Sequence, residues 1–247
     1  DAGVRSSRCL FPAVNGKNGR NSGFQVIEYR IRHSDGHWLW VEDRCCVTES
    51  KPDGSPKITE GILNDISERR NARHEITRQN RALRLMSGIG QALVRHTNVN
   101  EMLAEVCTVA VEIGGYQMAW VGEASHGTGK PVIPIAASGF TDANLSNLNI
   151  SWADVPNNQG PTSRAIRSGV PAIIRDIEND PSFQPWRVAA QAQGYRSLVS
   201  LPLRVDGQIL GALSLYSAKL DPFDDDELAL LDNLAGELGL GLSMQRS

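Results

Sequence analysis

The stretch "GILNDISERR", residues 61–70, marks a change from strand to helix. Residues 58–63 form a short run that is typical of a β-strand. Asp65 then has the side chain of a helix N-cap, which accepts hydrogen bonds from the first free backbone amides of a helix. Glu68, three positions later, completes the spacing of a capping box. The stretch therefore predicts a strand that passes directly into a capped helix.

Before this junction, residues 24–66 predict a meander of three strands. Apolar and polar residues alternate over residues 24–31, and turn signals at Asp35-Gly36 and Pro52-Asp53-Gly54 separate the later runs. Residues 1–23 are rich in Gly, Asn and Ser and show little periodicity, so we expect a tail or loop there.

After the junction, residues 67–96 predict one long, polar helix. It contains no proline, and its first glycine is Gly88. Its apolar residues form only a sparse stripe, with spacings of three and seven residues. A helix this polar is expected to need a partner helix. We therefore predict a homodimer in which the stripe lies at the interface: Ile76, Leu83, Met86 and Leu93.

Residues 97–247 predict a second domain. Asn98 and Glu101 form another capping box before an amphipathic helix, and Asp206-Gly207 is the turn of a clear β-hairpin over residues 198–216. An acidic cluster at residues 224–227 begins a Leu-rich terminal helix, where negative side chains stabilise the helix N-terminus. The fold class predicted for the whole chain is α+β, with helices on one main face of the second sheet.

Composition excludes several classes of protein. The chain has 247 residues, 40% of them hydrophobic, and a net charge of −3, which fits two compact units without affinity for nucleic acid. No apolar run approaches the ~20 residues that span a bilayer, and the first residues of the sequence do not show the basic-then-apolar pattern of a signal peptide. We expect a cytoplasmic protein with four free thiols. Because the sequence begins at Asp1, we expect a piece of a longer protein.

Residues 24–70 closely resemble the C-terminal half of a PAS domain, which is three strands followed by a signalling helix. The matching parts are Glu28-Tyr29-Arg30, Asp35-Gly36, Trp40-Val41 and Asp65-Ile66-Ser67-Glu68-Arg69. A cap at Asp65 would fix where the helix begins relative to the last strand, so Asp65 and Glu68 are predicted to relay movement of the sheet. Residues 1–23 do not resemble the other half of a PAS domain, which leaves a heme, flavin or metabolite site in this part unsupported.

Residues 97–243 contain the motifs Gly115-Tyr116-x-x-Ala119-Trp120-Val121-Gly122, Gly160-Pro161-x-x-Arg164-Ala165, Asp180-Pro181-x-Phe183-x-Pro185-Trp186, Gly194-Tyr195-Arg196-Ser197, Leu201-Pro202-Leu203 and Phe223-x-x-x-Glu227. Through these motifs the segment resembles a GAF domain. The two resemblances together imply a sensory input module whose GAF domain binds a small ligand. They also imply an output domain in the parent protein, such as a diguanylate cyclase, a phosphodiesterase or a histidine kinase.

The candidate ligand-binding residues are aromatic or polar side chains within the GAF motifs. Aromatic side chains beside arginine are typical of small-molecule pockets, although aromatics also fill cores. The set is Trp120, Trp186, Tyr195, Arg196 and Ser197, with Phe140 and Trp152 as further aromatics. One alternative is a structural dimerisation module whose pocket is filled by its own side chains.

No catalytic residue, metal site or cofactor is predicted. The five histidines show no metal-ligand spacing with each other, with cysteine or with carboxylates. Residues 116–247 contain no cysteine, which argues against covalent bilin, and heme is not expected either. A GAF-type methionine sulfoxide reductase is a further alternative, but it needs pocket cysteines, and the only cysteine of this domain is Cys107 in the first helix.

Overall fold

The structure, a computed structural model, describes residues 25–53, 55–139, 150–155 and 159–246. The predicted tail over residues 1–23 and the aromatic Phe140 lie outside the described residues. The chain divides into two compact units, Asp1–Arg78 and Gln79–Ser247. None of the described helices is long and apolar enough to cross a membrane.

The first unit contains the predicted meander, which is confirmed. Its strands are β1 (Gln25–Arg32), β2 (Trp38–Ser50) and β3 (Pro56–Asp65), paired antiparallel in the order β1-β2-β3. Side chains of β1 alternate between half-buried and exposed, as expected when one face of a sheet is covered.

Helix α1 (Ser67–Arg95) begins in the first unit and ends in the second. It begins two residues after Asp65, because Asp65 still pairs with Val41 as the last residue of β3. The first helical hydrogen bond runs from the Arg70 amide to the Ile66 carbonyl at 2.9 Å.

The second unit is built on a five-stranded antiparallel sheet in the order β5-β4-β8-β7-β6. The strands are β4 (Met118–Ala124), β5 (Val132–Ser138), β6 (Ala172–Ile174), β7 (Ser197–Val205) and β8 (Gln208–Ser217). The helices are α2 (Val99–Glu112), α3 (Pro161–Ser168), α4 (Arg187–Ala192) and α5 (Asp225–Arg246), with a 3₁₀ helix at Pro181–Trp186.

The local signals of this unit are confirmed. The Asn98 side chain accepts hydrogen bonds from the Asn100 and Glu101 amides and caps α2. Asp224 accepts from the Glu227 amide at 2.8 Å and caps α5. Asp206 and Gly207 both have positive φ, at 51° and 79°, which is the backbone of a type I′ turn between β7 and β8.

Helices cover both faces of the five-stranded sheet, so the expectation of one main face was wrong. Successive residues of β4, such as Ala119 and Trp120, belong to two different buried clusters because side chains alternate across a strand. Helices α1, α2 and α5 pack on the first face, and α3 and α4 pack on the second. The reason is that β7 is buried at nearly every position, so both faces of the strand must be covered and neither contacts water.

Candidate functional site

The second face of the five-stranded sheet carries a buried cluster that is rich in aromatic side chains, which we call the aromatic face. The cluster combines residues of β4, β7 and β8 with residues of α3, α4 and the loops between them. Its aromatic members are Trp120, Phe183, Tyr195 and Tyr216, with Trp152 and Trp186 packed partly buried against them. Three of the five predicted ligand-binding residues therefore come together here.

Trp120 lies at the centre of this face on β4, and its side chain is fully buried, at 0% exposure. Its indole Nε1–H makes no hydrogen bond of ordinary geometry in the described part of the chain, although it interacts with the nearby hydroxyl of Tyr216. A buried donor without an acceptor costs on the order of 1–3 kcal/mol. Such a group is a place where the oxygen or nitrogen of a ligand would be stabilised.

Two tyrosines lie on the same face. The rings of Tyr195 and Tyr216 are 5.0 Å apart between centroids, and burial raises the pKa of both hydroxyls. The indole of Trp120 offsets part of the shift in the pKa of Tyr216, which places the two polar groups near one another. Neutral hydroxyls beside an indole N–H suit a ligand with uncharged or acceptor groups.

The other two predicted residues are not part of the aromatic face. Arg196 has an exposed side chain whose charge acts on Asp176, and its amide donates to the Ser217 carbonyl at 2.8 Å. Ser197 is buried, but its hydroxyl donates to the Lys219 carbonyl at 2.7 Å. Ser197 thus holds the start of β7 to the loop that follows β8.

Sequence reasoning missed a cluster of three buried hydroxyls on the same side of the sheet as the aromatic face. Ser200 and Ser214 are 2.8 Å apart, and Thr162 of α3 lies 3.3 Å and 3.1 Å from them. The signal was present, because each serine interrupts an otherwise apolar strand and the two serines are cross-strand partners. The partner on α3 could not be identified without the fold.

At the strand–helix junction, hydrogen bonds link β2 to the start of α1. The Asp65 carboxylate accepts from the Ser67 amide at 2.8 Å. The Trp40 amide donates to the Ser67 hydroxyl at 2.9 Å, and the Ile66 amide donates to the Trp40 carbonyl at 2.8 Å. Hydrogen bonds from the backbone and hydroxyl of Ser67 hold the pKa of Asp65 below its ordinary value. Glu68 is exposed.

The predicted interface stripe on α1 divides into two sets. Ile76 and Leu83 are exposed, at 59% and 66%, as residues that contact a second copy of the chain must be. Met86 and Leu93 instead pack against the core formed by α1, α2, α5 and the first face of the sheet. The fully buried residues of the helix, Leu85, Ile89 and Ala92, belong to the same core. The one predicted stripe is therefore wrong, since half of it is covered by the same chain.

A buried ion pair, also missed, joins α1 to α5. The Arg81 guanidinium donates to the Glu227 carboxylate at 2.8 Å and, through Nε, to the Gly114 carbonyl at 2.7 Å. The Tyr116 hydroxyl donates to the same carboxylate and accepts from Arg81. Hydrogen bonds with Glu227 raise the pKa of Arg81, and burial raises the pKa of Tyr116. This network connects α1 to the first turn of α5.

The hairpin between β1 and β2 brings together three groups that the sequence did not indicate as a site. The ligand atoms of His33, Asp35 and His37 all lie within 4.8 Å of one another. This corrects the expectation that no histidine lies with a carboxylate at metal-ligand spacing.

Cys107 belongs to the core on the first face of the sheet, away from the aromatic face. Burial raises the pKa of its thiol to about 12. A thiol in this state is neither a nucleophile nor a metal ligand near neutral pH.

Comparison with protein-family models identifies both parts of the chain. The model of the GAF domain matches residues 96–243, which is more than half of the chain. The model of the PAS fold matches residues 17–63. The predicted order, a PAS segment followed by a GAF domain, is confirmed. A PAS/GAF module of this kind is typical of signalling proteins.

A curated relative is a methyl sulfide methyltransferase-associated sensor from Methanosarcina acetivorans, 24% identical over 221 residues. The match covers 87% of this chain but only 20% of the relative, so the chain spans about a fifth of that protein's length.

Among solved structures, the GAF domain of an Acinetobacter phosphoenolpyruvate-protein phosphotransferase is similar over 67% of this chain and 94% of its own, with a TM-score of 0.54 and 10% identity. A free methionine-R-sulfoxide reductase from Neisseria meningitidis covers 67% of this chain and 93% of its own, with a TM-score of 0.53 and 20% identity. At such identities these likenesses show the fold alone.

Proposed function

The chain belongs to the GAF domain family, and from that premise we propose that it is the input module of a signal-transduction protein. Its GAF domain binds a small molecule against the aromatic face, and helices α1 and α5 pass the response to an output domain of the parent protein. The observation that carries the proposal is the fully buried indole N–H of Trp120, which makes no hydrogen bond of ordinary geometry among the described residues.

The proposed ligand has an acceptor atom and a flat or apolar body. A carbonyl, a carboxylate or a ring nitrogen would accept from Trp120 Nε1, while the rings of Tyr195 and Trp186 contribute apolar contact area. Arg196 stays a candidate for an anionic group because its side chain is exposed. Ser197 is a weaker candidate, because it would have to give up its hydrogen bond to Lys219.

Signal transfer in this proposal follows the sheet. Strands β4, β7 and β8 carry the aromatic face on one side and the core with α1, α2 and α5 on the other. A ligand that shifts one of these strands changes the packing of both helices. The Arg81–Glu227 pair would transmit a shift of α5 to α1, because a charged pair inside the protein resists separation.

We propose further that the module acts as a homodimer through the exposed face of α1. Ile76, Leu83 and Gly90 follow at intervals of seven residues, and Ser87 and Val94 continue the same face as the lining of a shallow groove. Apolar and small residues at this spacing suit a helix–helix contact. Met86 and Leu93 have no part in this revised interface.

A structural module without a ligand is the competing proposal. It is supported by the close packing of aromatic side chains on the second face, which fill much of the space that a ligand would need. A methionine sulfoxide reductase activity has weaker support, because Cys107 is a buried thiol on the opposite face of the sheet. Ligand binding distinguishes the first two, and thiol-dependent turnover would distinguish the third.

Ligand binding can be tested by mass spectrometry under non-denaturing conditions, followed by melting curves with any compound that copurifies. A ligand present at about 100 times its Kd would stabilise the domain by about 2.7 kcal/mol, which is a shift of several degrees. Trp120→Phe removes the N–H and keeps an aromatic ring, so this variant should lose most of the shift.

The matched control is Trp38→Phe, which changes an exposed tryptophan of the first unit and should leave the shift intact. If nothing copurifies and a panel of metabolites produces no shift in the wild-type protein, the ligand-binding proposal fails in favour of the structural module. An equal loss of the shift in both variants would also count against a role for Trp120.

The dimer is tested by light scattering after size exclusion at roughly tens of micromolar, a concentration suited to weak self-association. Leu83→Lys should shift the mass from dimer toward monomer, while Arg84→Lys, at an exposed neighbouring position, should not. A wild-type protein that is monomeric at this concentration would contradict the proposal.

A further inference from the structure

The end of the β1–β2 hairpin holds two histidines side by side. The His33 amide donates to the His37 carbonyl at 2.7 Å, and the Gly36 amide donates to the His33 carbonyl at 3.0 Å. Gly36 adopts φ 99°, a value that residues other than glycine rarely adopt, so this turn requires glycine at this position. As a result, the two imidazole rings stack with their centroids 4.6 Å apart and 23° between their planes.

Asp35 contacts both of these rings through one carboxylate oxygen. Its Oδ1 is 3.0 Å from His33 Nδ1, contacts His37 Nδ1 and accepts from the His37 amide at 3.2 Å. The three side chains are about half exposed, at 47%, 59% and 53%, so the cluster is open to ions from solvent. One carboxylate oxygen and two ring nitrogens thus converge without a buried partner that would have to be displaced.

We propose that His33, Asp35 and His37 bind one divalent transition-metal ion of the zinc class at this hairpin. Imidazole nitrogen and carboxylate oxygen are both zinc ligands, at about 2.0–2.2 Å from the ion. Ligand atoms in such a tetrahedral site are about 3.3 Å apart, a separation derived from those bond lengths. The three groups already lie within 4.8 Å of one another, so small side-chain rotations close the site.

The composition of the site selects the class of ion. Two imidazoles favour zinc, copper or nickel over magnesium and calcium, which prefer shells made entirely of oxygen. Three protein ligands leave the remaining position to water. Arg32, whose Nε donates to the Gly36 carbonyl at 3.2 Å, places one positive charge near the turn and lowers the expected affinity to on the order of micromolar.

The hairpin lies at the end of β2 that also contacts the start of α1. Trp40, three residues after His37, is hydrogen-bonded through its backbone to both Ile66 and Ser67. A bound ion would therefore add positive charge near the end of β2 whose backbone contacts the start of the helix.

The test is calorimetric titration of the tag-free chain with Zn²⁺, supported by the absorption spectrum of the Co²⁺-loaded protein. The expected result is one equivalent with a micromolar Kd that is lost in the double variant His33→Ala/His37→Ala. Asp35→Asn should weaken binding by at least about tenfold, because the amide keeps the turn but is a poorer ligand. Circular dichroism checks that each variant is folded.

The matched control is His74→Ala, which removes an exposed histidine of α1 and should leave the stoichiometry and Kd unchanged. Two results would overturn the proposal. One is wild-type binding weaker than about 1 mM, a level typical of an isolated surface histidine. The other is a zinc equivalent that survives in the double variant, which would place the ion elsewhere in the chain.

Discussion

The first turn of helix α1 is held by polar contacts at the surface of the first unit, whereas the same helix from Arg81 onward is held by a buried core in the second unit. The first turn depends on Asp65, on the ion pair of Arg69 with Glu42 at 3.2 Å, and on Arg70 stacked 3.9 Å from the centre of the Trp40 ring. The later turns depend on Leu85, Ile89 and Ala92 and on the Arg81–Glu227 pair.

This difference indicates which end of the helix can move. Surface ion pairs contribute only about 0–1 kcal/mol each, and Arg69 is 62% exposed in its pair with the buried Glu42, while a buried leucine contributes several times more. The first turn can therefore rearrange at low cost, and the later turns move only if the core of the second unit moves with them. A helix that transmits a signal requires this difference between one end that can rearrange and another that is fixed.

Among the variants that test this comparison, Leu85→Ala should cause the largest loss in the free energy of unfolding. Leu85 is 1% exposed, so the substitution removes buried methyl groups and leaves a cavity, at a cost of about 2–5 kcal/mol in the free energy of unfolding. Urea denaturation measures this cost. Arg84→Ala, at the neighbouring exposed position, should cost less than about 0.5 kcal/mol. Equal costs at both positions would mean that the later turns are not anchored as described.

Arg81→Met should have a somewhat smaller effect. It leaves the Glu227 carboxylate without its cation, at a cost of about 3 kcal/mol, near the lower end for a buried pair because Arg81 keeps some contact with solvent. The double variant Arg81→Met/Glu227→Leu should recover part of the loss, since it removes the unpaired charge. A double-mutant cycle measures the coupling. Additive effects would show that the two side chains are not energetically coupled.

Asp65→Ala should have the smallest effect, confined to the first turn. Amide exchange at residues 67–70 should become a few-fold faster, because the Ser67 amide loses its acceptor, while exchange in β7 and β8 stays unchanged. Loosening of the β7 and β8 amides would contradict a local role for Asp65.

The same carboxylate also predicts a pH dependence. Because the pKa of Asp65 is lowered in the folded protein, its contribution is complete above the ordinary value of about 3.9 and is lost as pH falls through the lowered pKa. The Ser67 amide shift in NMR spectra should therefore titrate below about pH 3.9. Asp65→Asn keeps an acceptor and should abolish the titration.

Sequence reasoning predicted the features that depend on neighbouring residues. The caps at Asn98 and Asp224 and the turn at Asp206-Gly207 follow from side chains within three residues of the backbone groups they affect. Among the aromatic members of the second face, Trp120, Trp186 and Tyr195 were identified as candidates through resemblance to a family, whereas Tyr216 was not. Local chemistry and family pattern together gave the fold class and part of the candidate site.

The features that were missed depend on contacts distant in sequence. Arg81 and Glu227 are 146 residues apart, and nothing in the sequence near either one indicates the other. Periodicity identified apolar positions on α1 but could not indicate that Met86 and Leu93 face their own core instead of a second copy. The cluster of His33, Asp35 and His37 is local in sequence, but only the conformation of the turn at Gly36 brings its three side chains together.

The three buried hydroxyls of Thr162, Ser200 and Ser214 have a consequence for the fidelity of folding. Ser200 and Ser214 are directly opposite each other in the pairing of β7 with β8. If β7 slipped by one residue, its side chains would exchange faces, and the Ser200 hydroxyl would lie among aliphatic side chains without a partner. That misfolded register would carry a penalty on the order of 1–3 kcal/mol for this hydroxyl alone. Because almost all the remaining positions of these strands are apolar, the hydroxyls let the folding chain distinguish the correct pairing from the register that is shifted by one residue.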